Sequence, residues 1–125
     1  MRALVIDDSR AMRSILSGIL TDLEFEVEQV ADAEGAYDVL TGDHRFDLAL
    51  VDWNLPAMNG LDLVKLIRQR TELAGIRLMM VTTETELARI SQALEAGANE
   101  YIMKPFTKDM LLEKLILIGF EVATD

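Results

Sequence analysis

The chain has 125 residues, half of them hydrophobic, and no cysteine, which sets it at one domain and excludes disulfides, thiol catalysis and cysteine-based metal sites. Its formal net charge of −10 makes it a poor partner for DNA or RNA, because that binding runs on counterion release by Lys and Arg. No apolar run is long enough to span a membrane and no signal-peptide pattern opens the chain, so a cytoplasmic location is expected.

Ala3–Ile6 is a short apolar run ending on Asp7 and Asp8, the pattern of a buried first strand. Asp8 or Ser9 caps a helix in which Met12, Ile15, Leu16, Ile19 and Leu20 recur at helical spacing, as far as Thr21 or Asp22. Glu26–Val30 reads as a second strand with Val27 and Val30 as its apolar members. Asp32 caps a second helix that stops near Gly42. Leu48–Val51, four consecutive apolar residues, reads as a strand buried on both faces, and it ends on Asp52. Pro56, Asn59 and Gly60 stop it and open a third helix reaching about Glu72. Arg77–Val81 is a fourth strand. Thr83 and Glu86 form a capping box for a fourth helix that stops at Ala96–Gly97. Tyr101–Met103 is a brief fifth strand ended by Lys104–Pro105. Thr107 caps a last helix that is apolar nearly all round, from Met110 to Ile118.

Such alternation calls for a parallel sheet covered by helices on both faces, a three-layer sandwich with right-handed crossovers. In a parallel sheet all strands end on one side, where ligands bind. That brings Asp7, Asp8, Asp52, Thr82 and Lys104 to one crevice. Taken alone, Asp52 serves equally well as a turn cap; its company argues for more. Two carboxylates about 4 Å apart repel by roughly 4 kcal/mol at an effective dielectric of about 20, so three together need a cation or a proton. Mg²⁺ is the expected ion, with Asp8 and Asp52 as direct ligands, a backbone carbonyl of the Asp52 loop as a third and Asp7 acting through water. Beside such an ion Asp52 can act as a nucleophile towards a phosphoryl group, with Lys104 and Thr82 stabilising charge on its oxygens.

Four segments carry a family resemblance: VIDDSRAMR, LALVDWNLPAMNGLDLV, MMVTTE and EYIMKPF, which together span residues 3–106. In this order and spacing the sequence resembles a two-component response-regulator receiver domain. The resemblance implies a flavodoxin-like (βα)5 sandwich with strand order 2-1-3-4-5 and residues 1–125 as a single receiver domain. It implies that Asp52 accepts a phosphoryl group from the phosphohistidine of a sensor histidine kinase. It further implies that Asp7 and Asp8 are the acidic metal pair and that Asn54 offers its backbone carbonyl to Mg²⁺. Thr82 matches the hydroxyl that moves onto the phosphoryl group, Lys104 the family's lysine, and Tyr101 the aromatic that turns inward on activation. Asn54 and Glu84 match positions that tune the loss of the phosphoryl group to water. The Lys104–Pro105 bond matches one usually cis in the family. The output surface is then the fourth helix, fifth strand and fifth helix, engaging a downstream protein, with the chain itself a monomer or weak dimer. Thr83 and Leu117 depart from the family's stand-alone chemotaxis members, which have a smaller residue and a lysine there. Thr83 bears on how far Tyr101 can move, and Leu117 on whether the target is a flagellar motor protein.

Two rival readings differ in class. An aspartate-nucleophile phosphatase needs a second acid two residues after the nucleophile, where this chain has Asn54. A flavin mononucleotide carrier needs a phosphate-holding loop after the first strand, where Asp7 and Asp8 would repel the phosphate. A receiver excised from a longer regulator is a further alternative. Trp53, the single tryptophan, is expected in the loop near the site with no chemistry of its own, and His44 in an exposed polar loop without a role.

Overall fold

The alternation resolves, in a computed structural model that describes residues 1–83 and 87–121, into a five-stranded sheet flanked by helices. The elements are β1 (Arg2–Ile6), α1 (Arg10–Asp22), β2 (Glu26–Val30), α2 (Ala33–Leu40), β3 (Leu48–Val51), α3 (Gly60–Arg68), β4 (Arg77–Thr82), α4 (Leu87–Ala96), β5 (Glu100–Met103) and α5 (Lys108–Leu117). The strands lie in the order β2-β1-β3-β4-β5, and every neighbouring pair is parallel. This is the expected flavodoxin-like order.

Period-two alternation divides the core into two layers. Leu4, Ile6, Ala49, Val51, Leu78 and Met80 point to one side, where α2, α3 and α4 cover them. Ala3, Val5, Leu48, Leu50, Met79, Val81 and Ile102 point to the other, under α1 and α5. The two adjacent methionines of β4 therefore fill opposite layers. Edge strand β2 gives one valine to each layer and is otherwise polar, with Arg2 reaching Glu26 at 3.1 Å and Glu28 at 3.7 Å.

Ser9, and not Asp8, caps α1, its side chain accepting from the Met12 N–H. Asp32, Asn59 and Thr107 cap α2, α3 and α5 in the same way. The start of α4 at the expected Thr83–Glu86 box lies partly outside the described residues. Helix α3 is shorter than its sequence pattern, ending at Arg68, with a 3₁₀ turn at Thr71–Leu73 in place of the helix expected to reach Glu72. The cause is tertiary. Arg70 adopts an extended conformation (φ −101°, ψ 118°), while the Arg68 guanidinium turns to donate to the carbonyls of Gly97, Leu73 and Ile76. Gly97 lies in the left-handed region at φ 121°, and a Cβ there would come within 2.5 Å of the Arg68 side chain.

The register sets the height of the site. Ile6 lies beside Val51 and Val51 beside Met80, so Asp7 and Asp52 leave adjacent strands at the same level. The chain then returns into α3 so closely that a Cβ on Gly60 would stand 2.3 Å from the Asp52 carbonyl oxygen. Backbone is the obstacle, so the neighbour cannot simply rotate away. Gly60→Ala is therefore expected to destabilise the protein by about 1–3 kcal/mol. By contrast, a Cβ on Gly18 within α1 meets nothing within 4 Å, and Gly18→Ala should stabilise by about 0.5–1 kcal/mol. Urea unfolding midpoints of the two variants check the pair, which must move in opposite directions.

Candidate functional site

Asp7 and Asp52 emerge at the ends of β1 and β3 with their backbones still on the ladder: Asp7 N–H donates to the Val30 carbonyl and Asp52 N–H to that of Ile6. The two residues are 1% and 6% exposed, whereas Asp8 faces solvent. One carboxylate oxygen from each of Asp7, Asp8 and Asp52 lies within 4.8 Å of the others. Lys104 closes the group, its Nζ 3.0 Å from Asp7 Oδ2 and 3.6 Å from Asp52 Oδ1. Lys104 is held by its own N–H, which donates to the Thr82 carbonyl at 2.8 Å, and the following bond to Pro105 is cis, as the resemblance implies.

Burial pushes the Asp52 carboxyl above its usual range, and the neighbouring charge of Asp7 pushes the same way; Lys104 and a long hydrogen bond from the Asn54 N–H (3.4 Å) oppose them, and Asp8 adds to the rise. With all three acids ionised and Lys104 protonated, the cluster carries two net negative charges. Its donors are all oxygens. Both properties suit a hard divalent cation, and Mg²⁺ fits the set presented by Asp7, Asp8 and Asp52.

The other expected residues fall around this centre. Thr82 is buried at the end of β4, one strand from Asp52. Asn54 is exposed in the loop leaving Asp52. Tyr101 is half-buried against the layer under α3 and α4, with the Lys114 ammonium 4.9 Å from its ring centre and its own N–H donated to the Glu100 carboxylate. Glu84 lies outside the described residues. Trp53 is in the loop beside Asp52, as expected, and is also buried as part of the core.

Sequence reasoning gave no role to Arg13, yet its Nη1 donates to the Asp7 carbonyl at 2.7 Å and holds the β1–α1 turn in place. A signal was present. The first turn of α1 holds Arg10 and Arg13 and no acid, against the helix dipole, a placement that calls for nearby negative charge. Gly60 was read only as a helix opener, because the carbonyl it must clear belongs to a residue eight positions earlier.

The family model described as the response regulator receiver domain matches residues 3–116. A chemotaxis protein CheY homolog of Campylobacter jejuni is 44% identical over 118 residues, covering 92% of this chain and 89% of that protein. Chemotaxis protein CheY1 of Helicobacter pylori is 42% identical over 121 residues, covering 94% and 96%. Among solved structures, the chemotaxis response regulator CheY4 of Vibrio cholerae superposes with a TM-score of 0.87 at 32% identity, covering 94% of this chain and 97% of that one.

Two measurements test the electrostatics. A carboxyl raised in the folded state contributes stability that is fully present below its unfolded pKa and lost as pH rises through the folded value. In metal-free buffer, Asp52→Asn should therefore raise the thermal midpoint at neutral pH, with the advantage shrinking as pH falls towards 4. Titrating Mg²⁺ should give a saturable change in Trp53 emission, weakened in Asp8→Asn; a flat trace in the parent protein contradicts a cation beside Asp52.

Proposed function

The chain belongs to the response regulator receiver domain family, and from that premise we propose that it is a phosphorylation-dependent signalling switch, working as one receiver domain over residues 1–125 whether alone or within a longer regulator. The observation that carries the reading is the Lys104 ammonium set between two buried carboxylates at the sheet edge, one of which opens the loop to α3. Such a group has one acid to spend as a nucleophile, with charge in place to meet the oxygens of an incoming phosphoryl group.

In this mechanism an Asp52 oxygen attacks the phosphorus of a histidine kinase phosphohistidine. The phosphorus–nitrogen bond breaks, its electron pair returns to the imidazole, and an acyl phosphate remains on Asp52. Asp7, Asp8, Asp52 and the Asn54 carbonyl would hold Mg²⁺, which when bound supplies charge compensation to the phosphoryl oxygens. Lys104 Nζ, already 3.6 Å from the acceptor, pairs with the same oxygens, and the Thr82 hydroxyl moves towards them. Tyr101 follows by turning inward, which changes the surface of α4, β5 and α5 and so the affinity for a protein partner. Water later removes the phosphoryl group, at a rate tuned by Asn54 and Glu84. The protein thus catalyses steps on its own side chain rather than turnover of a free substrate. The names of its relatives point to a chemotactic pathway. A cytoplasmic location, a downstream target that tolerates Leu117 and a monomer or weak dimer as the working state complete the proposal.

Mass spectrometry after incubation with acetyl phosphate and Mg²⁺ tests the reading. One phosphoryl group should appear on the parent protein and none on Asp52→Asn. Absence from the parent overturns the proposal, as does steady turnover of p-nitrophenyl phosphate, the mark of a phosphatase.

A further inference from the structure

Away from the acidic site, α2 and the β3–α3 loop enclose a groove of about 360 Å³. Its floor is apolar, formed by Ala33 and Tyr37 of α2, Met58 of the loop and Leu66 of α3. The loop wall has a set shape, since Ala57 is held in the left-handed region at φ 66°, which a residue with a Cβ keeps only where its surroundings fix it. On the rim stand Asp32, Glu34 and Asp38, all exposed. Asp32 is occupied in capping α2. Glu34 and Asp38 are four residues apart on one helix face, a like-charge spacing that opposes the helix, and among the described residues neither makes an ion pair. Arg70 reaches the Tyr37 hydroxyl at 3.1 Å but is itself paired with Glu72.

We propose that this groove docks a basic amphipathic segment of a partner protein, one apolar side chain entering between α2 and the loop while flanking Lys or Arg meet Glu34 and Asp38. Charge selects this occupant. An anionic ligand meets carboxylates of its own sign, and a second copy brings a net charge of −10 to a face already acidic. A metal ion is not the ligand, because the acids close enough to share one among the described residues are Asp7, Asp8 and Asp52. The apolar floor in turn separates this site from a merely solvated acidic face: it rewards a hydrophobic anchor, which a simple polycation lacks.

The probe is a synthetic amphipathic peptide of Leu and Lys, titrated into the ¹⁵N-labelled full chain in metal-free buffer, so that Asp52 chemistry plays no part. Saturable shifts confined to α2 and residues 56–58 are expected. A control peptide with Ser for Leu at equal charge should lose this binding. The double variant Glu34→Lys, Asp38→Lys should weaken it by about tenfold or more while still unfolding cooperatively, its midpoint lowered only slightly by the lysine in the first turn of α2. Shifts spread over the acidic surface, shifts centred on α4 and α5, equal binding of the Ser peptide, or no effect of the double variant would each overturn the proposal.

Discussion

The site stands on a charge balance. Two carboxylates at about 4 Å repel by roughly 4 kcal/mol at an effective dielectric of about 20, and here three are gathered with two of them out of water. The Lys104 ammonium, delivered from the edge strand across the end of β4, makes that gathering tolerable by reaching both buried acids. It also ties the edge of the sheet to its centre, since β5 and β1 are separated by two strands yet share this ion pair. Any change in charge at Asp52 alters the hold on Lys104, and through the Lys104 backbone the contact with Thr82. The acidic site and the end of the outer strand thus share an ion pair and a backbone hydrogen bond.

Much of this was legible in the chain because it is written locally. Three of the strands, β1, β3 and β4, are short unbroken apolar runs ending in polar residues, and their ends name the site. What stayed hidden depends on residues far apart. The early end of α3 is set by an arginine turning to carbonyls up to 29 positions away, which no helical periodicity encodes. Gly60 looks like any helix opener until the Asp52 carbonyl is seen pressed against it. Trp53 reads as a loop companion of Asp52 with no chemistry of its own, but its ring is buried in the core. Edge strand β2 was correctly read from only two valines because each serves a different layer.

The helices also differ in how fully the fold uses their apolar surface. In α5 the side facing the sheet is satisfied by Leu111 and Leu115, yet Leu117 remains 71% exposed; on α4 Leu87 is 75% exposed. On β5, Met103 is exposed as well and Tyr101 is half-buried. These uncovered apolar side chains contrast with the carboxylate-rimmed groove at α2. One molecule thus offers two chemically unlike faces, joined through a single sheet.

The hydrogen bond from Tyr101 N–H to the Glu100 carboxylate has a bearing on solubility. An edge strand with open donors is a template on which a foreign strand can add, and sheets that widen in this way precipitate. On β5 that donor is spent on its neighbour's side chain, which Lys114 anchors at 3.3 Å. A strand arriving there would have to evict a carboxylate and break an ion pair before forming its first rung. The apolar side chains exposed on this flank thus stand beside an edge strand whose Tyr101 donor is already taken.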